Sequence, residues 1–422
     1  MKAVRVAMLG WEFPPAVSGG LGVHCYELTK ALSGYGAQID FYMPKTASAP
    51  VSSGPGVRVV PVDFDSFSSS EKFLLPGPYP QSAWRTVTAV SAGLSAKPLG
   101  ENYGTGFFEA VSKYNALAAR LVQINHSKRN YEVIHYHDWI AAQAGLSACS
   151  LTGLPGVSTI HSTEFDRTAN LSPLDWIAGI ERSAVAKSDA VITVSHMMRC
   201  QLVERFGADP SRLFVIYNGV DPSLFSGRPK AKPRQLGKKV VLFHGRLSIQ
   251  KGPDFFLKAA KRVLEAEPQA HFIVSGKGGM LAQLVGEAIS LGIIDHVTFT
   301  GFVAESELAS LYASADVYVL PSVSEPFGIS VLEAMSSGVP VIVSKTAGVG
   351  ERLRNCLKVD FWDVDEMASN IVALLRYAPL SSMMSAGSCS EAREFSWPLA
   401  AHETMQVYNR AISSKTQKTS GR

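Results

Sequence analysis

Long apolar runs, cysteine and net charge are all scarce in this chain of 422 residues. No stretch of about 18 uncharged apolar residues occurs, so the pattern of an ordinary membrane-spanning helix is missing. The opening MKAVRVAMLGWEFPP passes from a short apolar segment into Pro14 and Pro15, without the apolar core and small-residue cleavage site of a secretory leader. A cytoplasmic protein is therefore expected. The five cysteines, Cys25, Cys149, Cys200, Cys356 and Cys389, are odd in number, dispersed and free of any CxxC pair. That pattern indicates neither a disulfide framework nor a structural zinc site, and reads as reduced thiols. Charged residues make up 18%, and 40 Lys plus Arg against 36 Asp plus Glu leave a net charge of only +4. Such a balance demands neither nucleic acid nor an anionic membrane as partner, while a small anionic ligand remains compatible with it.

What is abundant is apolar material in short runs. At 46% hydrophobic, the chain has the composition of a globular protein, and its length fits two domains, or three at most. Short apolar runs alternate with longer helical patterns, the signature of parallel strands joined by crossover helices, so the fold class is α/β. In the first half, strands are predicted at 4–10, 38–44, 133–138, 157–162, 190–195 and 213–219. A break rich in proline, glycine and basic residues follows at 226–238, SGRPKAKPRQLGK, and reads as a linker. The pattern restarts with strands at 239–245, 271–276, 297–302, 317–322 and 341–344, separated by helices at 253–266, 279–291, 305–313 and 328–337. Two doubly wound sheets in tandem are predicted, over 1–225 and 239–395. The segment 46–106, rich in Ser, Pro and Gly, is the least regular part; an insertion of that length is expected to serve function. Ser396 and Trp397 precede a helical pattern, giving a predicted helix over 396–413 and a frayed tail over 414–422.

Three stretches can carry chemistry. SGGLG, Ser18 to Gly22, follows the first strand and opens a helix; its glycines let a ligand approach the backbone, and a helix start favours an anion. Taken alone it reads more readily as a tight turn, and it is not the GxGxxG of a dinucleotide site. GRLSIQKG, Gly245 to Gly252, follows the first strand of the second half, where Arg246 and Lys251 together can neutralise a diphosphate or simply form a solvated basic loop. SEPFGISVLEAMSSGVP, Ser324 to Pro340, holds Glu325 in an extended position before Pro326 and Glu333 eight residues on, inside the following helix. The two carboxylates can grip two different hydroxyl groups of one ligand or simply be solvated acids. Glu333 sits in the apolar run Ile329, Val331, Leu332, Ala334, Met335, where an unpartnered carboxylate is costly.

In combination, WEFPP with GGLG, HDW at 137–139, NGVD at 218–221, GRL with QKG, GKG at 276–278 and the Glu-x7-Glu of SEPFGISVLE resemble the retaining glycosyltransferases of family 4 and their glycogen and starch synthase relatives. The resemblance spans nearly the whole chain. It implies the GT-B fold, two Rossmann-like domains facing across a cleft with the last helix crossing back to the first. It implies backbone contacts from Gly19 and Gly20 to the donor diphosphate, held from the other domain by Arg246 and Lys251. Glu325 and the backbone near Phe327, Gly328 and Ile329 are implied at the donor sugar and Glu333 at the ribose. The stretch around Lys277 and the strand end at Phe302 and Val303 would flank the nucleobase. His161 matches a histidine beside the reacting sugar, and His137 with Asp138 a pair on the acceptor side. No metal and no cofactor are implied, since fixed positive charge in a dry cleft can stabilise the leaving group. Retention of configuration ordinarily suggests a carboxylate nucleophile; the resemblance implies instead front-face attack assisted by the donor phosphate, with Glu325 orienting the sugar.

The favoured reading is transfer of glucose from ADP- or UDP-glucose to an α-1,4-glucan. Family relatives using another donor, such as GDP-mannose, and a lipid, small-sugar or polysaccharide acceptor form the alternative, followed by a non-catalytic nucleotide-sugar-binding protein and an epimerase. Asp63-Phe-Asp65 and Asp363-Val-Asp365 have the DxD spacing of a manganese site but are read as surface acids. His24 is placed towards the site, His135 is kept as a packing residue, and His126, His196, His244, His271, His296 and His402 are read as structural or solvated.

Overall fold

The computed structural model describes residues 3–15, 19–46, 51–64, 106–225 and 239–420. The predicted linker 226–238 and most of the predicted insertion, including Phe73, Tyr79, Trp84 and Tyr103, lie outside these residues, as do Ser18 and Asp65. The chain divides into two compact units. Unit 1 comprises the residues up to Phe165, Ser172–Ile216 and the segment from Trp397 onward; unit 2 comprises Asp166–Leu171 and Tyr217–Ser396.

Unit 1 is built on a seven-stranded parallel sheet in the order β3-β2-β1-β4-β5-β6-β7. Its strands are β1 (Arg5–Leu9), β2 (Gln38–Pro44), β3 (Val57–Val62), β4 (Val133–His137), β5 (Gly156–Ile160), β6 (Ala190–Thr193) and β7 (Leu213–Val215). Central strands β4, β5 and β6 are buried along their whole length, as expected of a sheet covered on both faces. Helices α1 (Gly20–Gly34), α2 (Phe107–Arg129), α3 (Asp138–Thr152), α4 (Asp175–Lys187) and α5 (His196–Phe206) form the crossovers. Ser195 caps α5 by accepting from the Met198 N–H, and Gly207 ends it in the left-handed conformation.

Unit 2 repeats the plan with six parallel strands in the order β10-β9-β8-β11-β12-β13. These are β8 (Val240–His244), β9 (His271–Ser275), β10 (Val297–Gly301), β11 (Val317–Leu320), β12 (Val341–Ser344) and β13 (Leu357–Val359). The helices are α6 (Pro253–Ala266), α7 (Leu281–Ser290), α8 (Glu305–Ala313), α9 (Ile329–Ser336), α10 (Val364–Arg376) and α11 (Ala378–Ala392). Pro253 opens α6, where its missing N–H costs nothing, and Phe256, Leu257, Ala260 and Val263 turn one face into a core shared with Phe243, Phe272 and Met367. A final helix, α12 (Trp397–Ser420), returns to unit 1 and packs against α1.

The structure corrects three expectations. β3 lies inside the segment read as irregular; Pro61 cannot donate to a ladder and is tolerated because β3 is the sheet edge. The segment expected as a tail is mostly helical, since α12 runs to Ser420, with the Lys415 ammonium 3.5 Å from the Asp189 carboxylate. Residues 217–225, assigned to the first half from sequence, belong to unit 2: the Val220 N–H donates to the Phe395 carbonyl at 3.0 Å, and the Tyr217 hydroxyl donates to Glu351 at 2.6 Å.

Candidate functional site

In an open parallel sheet, the carboxyl ends of the strands around the point where strand order reverses leave a crevice for ligands. The reversal falls between β1 and β4 in unit 1 and between β8 and β11 in unit 2. Each unit gathers predicted residues there.

In unit 1, Gly19 and Gly20 start α1. Gly19 is extended (φ −170°), and a Cβ built on it meets nothing within 4 Å among the described residues. No acidic residue lies in the first turn of α1. His137 ends β4, Asp138 begins α3 with φ at +55°, and His161 follows β5. The left-handed region is uncommon outside glycine but tolerated by Asp. Asp138 accepts hydrogen bonds from the N–H groups of His161 at 2.6 Å and Ser162 at 3.4 Å, which fixes the turn carrying His161.

These residues meet a third histidine. The ring of His24, one turn into α1, lies 4.3 Å centroid to centroid from His161 and 5.5 Å from His137. His137 Nδ1 and His161 Nε2 are 3.0 Å apart. Burial pushes the His161 imidazole down to about 3; it holds His137 well below the usual range too, with the rings of His135, His161 and His24 adding to the effect. His137 and His161 are thus neutral at pH 7. His135 shares the His137 face and is structural as expected: its Nδ1 meets the Tyr408 hydroxyl of α12 at 2.6 Å and its Nε2 the Thr159 hydroxyl at 2.7 Å. Trp397, also on α12, closes on His24 at 5.5 Å. Nothing in the sequence marks Tyr408 or Trp397 as neighbours of the histidines, because they come from a helix more than 200 residues away.

In unit 2, the loop after β8 carries exposed Arg246 and half-buried Lys251. Three glycines let the neighbouring loops interlock. A Cβ on Gly276, which has φ +134°, would sit 1.8 Å from the Gly245 carbonyl oxygen, and one on Gly278 would sit 2.1 Å from that of Leu247. Gly252, with φ +62°, crosses the Pro321 carbonyl just as closely, at 2.2 Å. Only glycine fits such approaches. The resulting frame includes hydrogen bonds from the Leu247 N–H to the Lys277 carbonyl (2.9 Å) and from the Val323 N–H to the Gln250 carbonyl (2.9 Å).

On this frame the Lys251 ammonium forms an ion pair with the buried Glu325 carboxylate, which also accepts from Ser322 Oγ at 3.4 Å. Arg246 Nη2 donates to the buried Gln250 side chain at 3.2 Å. Phe327 is buried, Gly328 turns the chain with φ +108°, and Ile329 begins α9. Glu333 finds the partner that its apolar surroundings demand: the Tyr312 hydroxyl donates to it at 2.7 Å. Burial still pushes its carboxyl up to about 7. The Lys277 ammonium lies 5.0 Å over the ring of Phe302, which is 60% exposed, with Val303 beside it. Gln250 and Tyr312 went unrecognised in the sequence. Gln250 lies inside a motif already singled out; Tyr312 carries no local signal.

The discounted acids among the described residues are engaged with other partners, whereas His244 adjoins the unit 2 cluster, its ring 5.8 Å from that of Tyr312. Asp63 pairs with Lys45, Asp363 caps α10, and Asp365 pairs with Arg262. His244 is bound to Ser275 Oγ at 3.0 Å and is held down at about 4 by burial and by the Lys251 charge. Among the described residues, no helix is long and apolar enough to cross a membrane.

Two doubly wound parallel-sheet units in one chain, each with polar residues at its switch point, constitute the GT-B class of glycosyltransferase fold. The solved structure of sucrose-phosphate synthase from Thermosynechococcus elongatus shares it, with TM-score 0.77 at 21% identity over 97% of this chain and 100% of that one. Residues 98–224 match the model described as Glycosyltransferase Family 4, and residues 228–385 that of Glycosyl transferases group 1. An uncharacterized glycosyltransferase of Methanocaldococcus jannaschii is 30% identical over 97% of this chain and 99% of its own. The chain belongs to the family 4 glycosyltransferases. It is also similar to the glycogen synthase of Mycobacterium tuberculosis, at 28% identity over 98% of this chain and 96% of that protein.

Proposed function

We propose that this glycosyltransferase is a retaining, metal-independent hexosyltransferase that moves glucose from ADP- or UDP-glucose to the non-reducing end of an α-1,4-glucan. The observation that carries the reading is the loop pair at the unit 2 switch point, where Arg246 and Lys251 share one loop and Lys251 pairs with a buried carboxylate, Glu325. Cations suit a diphosphate leaving group, and a buried carboxylate suits the hydroxyls of a sugar. Similarity to a glycogen synthase along nearly the whole chain supports glucose and glucan as the transferred group and acceptor.

In this reading Arg246 and Lys251 neutralise the departing diphosphate, and the backbone at Gly19 and Gly20 contributes N–H groups. The bond from the anomeric carbon to the phosphate oxygen breaks on the face where the acceptor oxygen attacks, and the acceptor's proton passes to the departing phosphate. His161 stands beside the reacting sugar, while His137 and Asp138 shape the acceptor side. Glu325 and the backbone at Phe327, Gly328 and Ile329 orient the sugar, Glu333 holds the ribose, and Lys277, Phe302 and Val303 flank the base.

A matrix of nucleotide sugars (ADP-glucose, UDP-glucose, GDP-mannose) against glycogen, maltooligosaccharides, small sugars and lipid extracts, read by nucleoside diphosphate release in the presence of a chelator, tests it. Release with ADP- or UDP-glucose that depends on added glucan is expected. Release only with another donor or acceptor refutes the assignment, and a trapped glycosyl-Glu325 refutes the orienting role.

A further inference from the structure

We propose that His24, His137 and His161 form a binding site for one divalent transition-metal ion of the zinc class. The three side chains come from α1, the end of β4 and the turn after β5, and one ring nitrogen from each lies within 4.8 Å of the others. The His137 Nδ1 to His161 Nε2 separation of 3.0 Å is near the spacing of about 3.3 Å set by bonds of about 2.0–2.1 Å to a tetrahedral ion. His24 completes the set with a modest side-chain adjustment. With Nδ1 as the ligand atom, the ring proton of His137 lies on Nε2, which is buried with no hydrogen-bond partner among the described residues.

The donor chemistry selects the ion. Three imidazoles without a carboxylate suit zinc, copper or nickel, whereas magnesium and calcium require oxygen ligands. The adjoining carboxylate of Asp138 is engaged with the N–H groups of His161 and Ser162 and acts as the outer support of the His161 ligand. Three protein ligands leave a fourth position open. A consequence rests on the proposed transfer reaction: an ion on His161 withdraws its nitrogen from the sugar, so occupancy inhibits an enzyme that needs no metal to work.

The test uses the full chain stripped with chelator and titrated with Co2+ as the spectroscopic probe, alongside equilibrium dialysis with Zn2+. One Co2+ per chain is expected, with the visible absorption of a four- or five-coordinate nitrogen site that Zn2+ abolishes. His24→Gln and His161→Gln should each weaken binding by about tenfold or more, and His402→Gln on α12 should leave it unchanged. Circular dichroism confirms that the variants are folded, and the wild-type titration alone decides the matter if they are not. No site tighter than about 100 μM in the wild type overturns the proposal, as does undiminished binding in both folded variants. Nucleotide release followed in the same Zn2+ titration should fall with the binding midpoint; binding with unaltered release upholds the site and overturns the placement of His161 beside the sugar.

Discussion

Replacing Lys251 with Met tests whether the ion pair with Glu325 organises unit 2. Lys251 is 18% and Glu325 7% exposed at the side chain, so the substitution strands a carboxylate whose remaining side-chain partner is Ser322 at 3.4 Å. Breaking a buried pair costs about 3–5 kcal/mol; the water still reaching Lys251 places this case lower, at about 2–3 kcal/mol. Glu325→Gln strands the ammonium instead and costs less, since a long flexible side chain can reach solvent. The double variant removes both charges and should come within about 1 kcal/mol of the wild type, giving a coupling of about 1.5 kcal/mol or more. Pulse proteolysis in urea, reading fragments of unit 2, supplies the four stabilities. Nucleoside diphosphate release should fall by about two to three orders of magnitude in Lys251→Met and should not return in the double variant, because the cation for the leaving group is still missing. Destabilisations that add to within about 0.5 kcal/mol refute the pairing argument, and recovered turnover in the double variant refutes the role of Lys251.

Tyr408→Phe leaves the buried His135 Nδ1 without its partner, so a loss of about 1–2 kcal/mol is expected in thermal or urea unfolding, with an unfolding signal from unit 1; an unchanged midpoint contradicts it. The Glu333 carboxyl, raised from 4.5 to about 7, keeps its proton in the folded state after the unfolded chain has lost it. Stability should therefore fall as pH rises from about 4.5 to 7, and Glu333→Gln should flatten that slope in urea midpoints measured across the range. Gly276→Ala forces a methyl group into the Gly245 carbonyl at a φ that alanine avoids; a destabilisation of about 2–4 kcal/mol is expected, and a folded variant with unaltered hydrogen exchange in the loop 245–252 contradicts the interlock.

Both sheets were legible in the sequence because their inner strands are short apolar runs between helical patterns: β2, β12 and helices α6 and α8 fall on their predicted residues. The edges were less legible. β3 is half exposed and carries Pro61, and β13 has three residues, so neither has the buried run that marks a central strand. The end of α12 was missed because its last turns are polar and carry no apolar period.

The candidate site divides along the same line. Glycine spacing, the basic loop and the Glu-x7-Glu pair are local patterns, so Arg246, Lys251, Glu325 and Glu333 could be named from the chain alone. What each of them touches could not. The Lys251–Glu325 pair spans 74 positions, the Tyr312 hydroxyl reaches Glu333 from another helix, and His24 meets His137 and His161, more than a hundred residues further on, because parallel strands bring their carboxyl ends to one edge. Sequence determined which groups are available and where the backbone can bend. Only the tertiary structure, through crossovers that juxtapose strands distant in the chain, decided which carboxylate is paired, which is pushed towards neutrality, and that the histidines form one buried cluster.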